Sequence, residues 1–258
     1  RSYAKMFSAS LTYVLIVVPI SVALGLGSAL LISSLRIGNE LYKAIFFLPV
    51  MATLLAMAIV WEFALNPIMG VVNDILRSGC DKRLIYGFFT GSWYGADPLQ
   101  SWYGAACADR FPIWLGDKRY ALGTIAFIGI WQGFGFNMVL YLAGLTSVPR
   151  ELYQAAHMDG ADSAWERFKL VTWPMLGPTH VFVITISSIR SFQVFDTVEA
   201  LTEGGPSKST YVMVYAMFEK GVRQNLLGIG SAITIVFLAF VLILTLIQVY
   251  FVNRRVHY

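Results

Sequence analysis

Charge is what this sequence has least of. Only 13% of its 258 residues are Asp, Glu, Lys or Arg, against roughly 25% in a soluble domain, which excludes an ordinary water-soluble fold. Cysteine is almost missing too. Two residues, Cys80 and Cys107, are too few for a disulfide scaffold or a Cys-rich zinc site. The three histidines, His157, His180 and His257, are scattered without metal-ligand spacing. No G-x-x-x-x-G-K-[ST] phosphate loop occurs, and Gly204-Gly205-Pro206-Ser207-Lys208-Ser209 lacks the glycine before lysine and follows no strand. The chain therefore holds no ATP chemistry, metal or cofactor of its own, and no catalytic residue is assigned. Nor is there a basic stripe interleaved with aromatics, so the +4 net charge is read as membrane-flanking Lys and Arg, not as a nucleic-acid surface.

What is present is long and greasy. No charged residue occurs from Met6 to Leu35, Ala44 to Trp61, Tyr120 to Pro149, or Gln224 to Asn253, and Thr179 to Phe195 is interrupted only by Arg190. A membrane-crossing helix needs about 20 mostly apolar residues, so these windows predict an all-α membrane protein with five transmembrane helices. Barrel strands would instead be short and alternating. The first window carries Gly25-Leu26-Gly27-Ser28-Ala29, small residues that let helices approach closely in lipid. Charge bias across the connections leaves orientation open.

Two connections are long. Residues 66–119 are rich in Gly, Trp, Tyr and Asp, too polar for lipid and too aromatic for a disordered linker. They read as a small cap. Trp93, Tyr94, Trp102 and Tyr103 either form its core or contact a partner. Cys80 and Cys107 are either free thiols or, in an oxidising compartment, a bridge contributing roughly 3 kcal/mol.

The second connection, 149–178, is polar and helix-forming. Pro149 suits a helix start, Glu151 complements the dipole, Gly160 breaks the run, and Asp162 is placed to cap a second short helix. Pro174 and Pro178 turn the chain back into the membrane. A folded polar element held between two spans is a docking surface for a partner.

That segment resembles the cytoplasmic loop of ABC importer permeases, roughly E-A-A, three residues, Gly, nine residues, Ile-x-Leu-Pro. Here Gln154-Ala155-Ala156, Gly160, Val171, Trp173 and Pro174 fall at matching spacing, with Gln154 replacing the usual acid and Trp173 the usual Leu. Trp131-Gln132-Gly133-x-Gly135-Phe136-Asn137, Leu142-Ala143-Gly144-Leu145 and Leu201-Thr202-x-Gly204-Gly205-Pro206 are similar to the carbohydrate-uptake, maltose-type first permease branch. The resemblance implies a six-helix type I importer core, with the first helix lying before Arg1, in the bacterial inner membrane. It implies four partners beside membrane lipid: a second permease subunit, two ATP-binding subunits carrying ATP and Mg, and an extracytoplasmic solute-binding protein. Gln154, Ala155, Ala156, Asp159, Gly160, Ala161 and Pro174 would couple to the ATPase, with Ala155 to Trp165 as the coupling helix.

The same resemblance puts the solute path along the third and fourth windows. Candidates are Trp131, Gln132, Phe136 and Asn137, then Ser187, Arg190, Ser191 and Gln193. Amides and hydroxyls can bond sugar hydroxyls, and aromatic faces can stack on sugar rings. A guanidinium inside a span is functional by default and suits carboxylate or phosphate, so an acidic sugar is expected: a uronate or a phosphate-bearing solute. Alternatively Arg190 pairs with Asp196, Glu199 or a partner's carboxylate. Competing functions are a membrane-embedded enzyme acting on a polar headgroup, which would need clustered Asp, Glu or His at the membrane face, and a non-transporting assembly subunit.

Overall fold

Each charge-free window folds as helix, and among the described residues no strand occurs. The computed structural model describes residues 2–35, 38–67, 69–73 and 113–253. The first window is α1, Ser2–Ser34. The second divides into α2, Asn39–Met51, and α3, Leu54–Ala64. The third is α4, Ala121–Thr146. The polar connection holds α5, Arg150–Met158, and α6, Ala164–Arg167, followed by a π-helical turn, Phe168–Thr172, and a short turn, Trp173–Met175. The fourth window is α7, Gly177–Phe192, continued by α8, Asp196–Leu201. After α9, Met213–Phe218, and a second π-helical turn, Glu219–Arg223, comes α10, Leu227–Asn253.

Four segments are long and apolar enough to cross a membrane: Tyr3–Ser34, Ala121–Thr146, Gly177–Leu201 and Leu227–Gln248. The expected second span, Ala44 to Trp61, is not one straight helix. Its halves, Glu40–Met51 and Ala56–Ala64, meet at 97°, so the five expected crossings are four helices plus one broken element. Pro49 removes a backbone donor just before the break, and Ala52 and Thr53 adopt extended backbone. Such backbone is tolerated at membrane depth only where protein or a cavity surrounds it, and the break meets that condition: Gln132 Nε2 of α4 lies 3.5 Å from the Ala52 carbonyl.

The core is a packed pair, α1 against α4, joined by α7 and α10. One cluster gathers Tyr13, Val14, Val17 and Val18 of α1, Ile125 and Ala126 of α4, and Met213, Tyr215 and Ala216 of α9. A second holds Ala29, Ile32, Met138, Tyr141, Leu176 and Val183. Of the small residues of α1, Gly25 and Ala29 are buried as expected, whereas a Cβ on Gly27 would meet nothing within 4 Å. A Cβ built on Gly25 would sit 2.6 Å from Asn137 Cβ, so glycine sets how closely α1 and α4 approach. By contrast α10 exposes Ile235, Leu238, Leu242, Ile243 and Leu246, an apolar face suited to lipid. The expected cap, with its aromatic residues, and both cysteines fall mostly or wholly in 74–112, outside the described residues.

Candidate functional site

Two sites emerge, a polar cavity among the helices and the exposed loop beyond them. The cavity holds about 450 Å³. Helix α1 contributes Tyr13, Val17 and Ser21; α4 contributes Gln132, Phe136 and Asn137; α7 and the residues after it contribute Ser187, Arg190, Ser191, Gln193, Asp196 and Thr197. Val50 and Ala52, at the break of the second span, close one side.

Seven of the eight residues expected along the solute path line this one space. Trp131 does not; it packs edge-to-face on Trp61 of α3 at 5.5 Å, beside Phe127, and so joins α3 to α4. Asn137 touches the cavity but is only 2% exposed, because it is tied on both sides. Ser187 Oγ donates to Asn137 Oδ1 at 2.9 Å, Asn137 Nδ2 donates to Ser21 Oγ at 3.3 Å, and Ser21 Oγ donates to the Val18 carbonyl at 3.2 Å. This chain of bonds pins α7 and α1 to α4 beneath the cavity surface. The sequence reading did not mark Ser21, although Ser21, Gly25 and Ala29 form a small-residue stripe at four-residue spacing, and all three are buried.

Arg190 is exposed into this space. Its guanidinium carbon sits 3.9 Å over the Phe136 ring, a cation–π contact that holds the charge without neutralising it. Among the described residues it forms no ion pair. Glu199, one expected partner, belongs to Arg223 instead: Nη2 lies 2.7 Å from Glu199 Oε1, and Nη1 lies 3.3 Å from Glu203 Oε2. The hydrogen-bonded Glu203 carboxylate, and then Glu199, hold the Arg223 pKa above its ordinary value. These bonds fasten α8, which carries the cavity residues Asp196 and Thr197, to the second π-helical turn.

The 149–178 loop is built from its own sequence. Helix α5 stops at Gly160, whose φ of +90° favours glycine. Ala161 N–H donates to the Ala156 carbonyl at 2.9 Å, and Gly160 N–H to the His157 carbonyl at 3.1 Å, the paired bonds of a Schellman stop. Ala156 and Ala161 are buried with Val148 and Val171 in a small cluster, so these two alanines build the loop, while Gln154, Ala155, Asp159, Gly160 and Pro174 are exposed. The expected cap, Asp162, is elsewhere engaged: its Oδ1 lies 2.8 Å from His157 Nδ1 across the bend. Ser163 caps α6, with its Oγ accepting from Glu166 N–H at 3.1 Å and Glu166 Oε2 accepting from Ser163 N–H at 3.0 Å. That second bond holds the Glu166 carboxyl below the usual glutamate pKa. Around the bend, Met158, Trp165, Leu170 and Trp173 are exposed, an apolar rim that no residue of this chain covers among those described.

A helical bundle enclosing a polar cavity, with a folded polar element on one connection, defines a multi-span membrane transport component. The chain belongs to the family described as binding-protein-dependent transport system inner membrane component, whose profile matches residues 4–257. It is similar to the sn-glycerol-3-phosphate transport system permease protein UgpA of Brucella abortus biovar 1 (strain 9-941), 29% identical over 256 residues, covering 98% of this chain and 77% of that protein. It is also similar to the probable ABC transporter permease protein YurN of Bacillus subtilis (strain 168), 28% identical over 213 residues, covering 83% of this chain and 64% of that one. In fold it matches the crystal structure of a bacterial ABC transporter involved in the import of the acidic polysaccharide alginate. That match has a TM-score of 0.79 at 21% identity, over 98% of this chain and 80% of that chain. The protein is a permease subunit of an ABC import system in the inner membrane, not an enzyme.

Proposed function

We propose that this chain forms half of the path through which an importer carries an acidic sugar, bearing a uronate or a phosphate. The observation behind this reading is Arg190: an exposed guanidinium in a polar cavity, supported on the Phe136 face and without an ion pair among the described residues. Bidentate recognition of carboxylate or phosphate is what an unpaired guanidinium offers. Gln132, Ser191 and Gln193 supply neutral groups for sugar hydroxyls. Relatives named for sn-glycerol-3-phosphate transport share the anionic chemistry.

A second permease subunit completes the path, an extracytoplasmic solute-binding protein delivers the solute, and two ATP-binding subunits drive the cycle. One of those subunits receives the 149–178 loop on its cytoplasmic face. The exposed Met158 and Trp165 insert into an apolar groove there, while Gln154 and Asp159 meet its polar rim.

Transport assays on the reconstituted complex test the solute class with Arg190→Gln. Charge-assisted hydrogen bonds contribute about 1.5–3 kcal/mol, so uptake efficiency for a phosphate- or carboxylate-bearing sugar is expected to fall roughly 10- to 100-fold. Uptake of a neutral analogue should hardly change. Equal loss for both would remove the anionic reading and leave Arg190 a structural role.

A further inference from the structure

A continuous run of rings leads from the docking loop to Tyr141, one helical turn from the cavity residue Asn137. Trp165 stacks on Phe168 with centroids 5.5 Å apart, and Phe168 meets Trp173 at 5.8 Å. Trp173 lies 4.4 Å from the His180 ring, and His180 lies 5.3 Å from the Tyr141 ring. The last step is also a hydrogen bond, Tyr141 Oη to His180 Nδ1 at 2.9 Å. Trp165 is 70% exposed at the loop surface, whereas Tyr141 is fully buried in the core of α1, α4 and α7. One turn along α4 from Tyr141 is Asn137, at the cavity and tied to both neighbouring helices.

The backbone between Phe168 and Trp173 makes this run possible. Residues five apart point well away from each other on an α-helix of 3.6 residues per turn. The π-helical turn at Phe168–Thr172 widens the winding enough to bring Phe168 and Trp173 onto one side. Single π turns in otherwise α-helical segments occur frequently at functional sites. The turn also serves the loop's own packing, through buried Val171 and the Thr172–Tyr153 hydrogen bond, but that small cluster contains none of the four rings from Trp165 to His180.

We propose that Trp173, His180 and Tyr141 are positioning residues that lock the loop to α4, so that displacement of the loop by the ATP-binding subunit is delivered to the cavity at Asn137. This rests on the docking of the loop proposed above. A purely spatial chain of contacts is not evidence of coupling, so the experiment must separate docking from transmission.

The assembled complex, in a Cys80→Ser, Cys107→Ser background, is labelled with an environment-sensitive fluorophore at one of two sites. Glu151→Cys, exposed in the first turn of α5 and not among the residues assigned to the groove or its rim, reports the loop, and Val194→Cys, on the cavity lining, reports the cavity. The probe is ATP with Mg and vanadate, which needs no knowledge of the solute. With Trp173 intact, both labels respond. In Trp173→Ala the loop label still responds, while the cavity response falls roughly fivefold. Trp173→Phe, which keeps a ring, restores most of it. Tyr141→Phe, which removes only the hydrogen bond, gives a smaller loss that does not add to that of Trp173→Ala. A cavity response that survives Trp173→Ala overturns the ring-chain proposal while leaving loop docking intact. A silent loop label in the unsubstituted chain overturns docking itself. Parallel loss of both responses in Trp173→Ala, tracking the yield of assembled complex, reduces these rings to structural packing and also overturns the proposal.

Discussion

The 149–178 loop and the cavity are stabilised over very different chain distances. The Tyr153–Thr172 hydrogen bond that helps close the loop reaches 19 residues along the chain, and the Ser163–Glu166 cap reaches three. The bonds that fix Asn137 in the cavity reach 50 and 116 residues. A loop that carries its own stop, cap and small core can keep its shape while it moves against a partner. A cavity whose lining comes from α1, α4, α7 and the broken second span changes when any of these helices moves. That asymmetry suits a device in which a rigid tip drives a deformable site, and it dictates which substitutions act locally and which act at a distance.

The largest expected effect is therefore on the loop. Proline cannot adopt the +90° φ of Gly160, and forcing it there costs about 3 kcal/mol or more. Gly160→Pro should abolish stimulation of the complex's ATPase by the loaded solute-binding protein. Gly160→Ala, at about 1–2 kcal/mol of left-handed strain, should weaken it. SDS-titrated unfolding of the helical core should be the same in both variants as in the unsubstituted chain. If Gly160→Pro leaves stimulation intact, the loop is not the coupling element and the comparison collapses.

Breaking the cavity has the opposite signature. Asn137→Ala frees Ser187 and Ser21 from the residue between them, and interhelical hydrogen bonds in lipid are worth about 1–2 kcal/mol at most. The unfolding midpoint in SDS should fall by a corresponding amount, with transport impaired for acidic and neutral sugars alike. That even loss is what separates a tie from a solute contact, and it contrasts with the selective loss expected of Arg190→Gln. An unchanged midpoint would mean that packing alone holds these helices.

How far each region could be read from sequence obeys the same division. The stop at Gly160 and the re-entry at Pro174 and Pro178 were legible because their signals lie within a few residues of their effects. The assignment of the cap to Asp162 failed for a local reason: Asp162 and Ser163 are both good caps, and only the geometry shows His157 taking the first. The charge-free windows marked the helices, since Met6 to Leu35 became Ser2–Ser34 and Tyr120 to Pro149 became Ala121–Thr146. They could not reveal the break at Ala52 and Thr53, because an apolar run looks the same straight or bent. Membership of the cavity was legible where polar side chains stand out against lipid, as for Gln132 and Arg190. Asn137's second role was hidden because its partner Ser21 lies in a distant apolar window with no other polar signal beside it. The π-helical turn left no pattern that the residues alone would disclose.

A smaller effect returns to the loop. Ser163→Ala removes the N-cap of α6, a change worth about 1 kcal/mol, and hydrogen exchange of the Glu166 and Arg167 amides should accelerate while exchange in α4 stays the same. The pH dependence has a defined sign. Because the Ser163 N–H lowers the folded-state pKa of Glu166, its contribution is complete above the ordinary glutamate range and disappears as pH falls through the lowered value. Protection factors at α6, corrected for the intrinsic pH dependence of exchange, should thus fall on acidification in the unsubstituted chain and show a weaker pH step in Glu166→Gln. An equal step in both would assign the acid sensitivity to another group.

The smallest effect is expected where the cavity wall is fastened from outside. Arg223 is 41% exposed and bridges Glu199 and Glu203, so solvent screens the pair and its net contribution is small. The geometry is nonetheless directional: Arg223 joins α8 to the second π-helical turn, whereas nothing comparable among the described residues ties the docking loop to a distant element by charge. Arg223→Gln should lower the SDS midpoint slightly at low ionic strength and not at all near 1 M salt, where the Debye length is about 3 Å. The same variant should raise the mobility of a label at Val194, since α8 carries the adjoining wall. A salt-independent loss would mean that Arg223 works through its guanidinium over the Phe218 ring, 5.7 Å from the ring centre, and not through the two carboxylates.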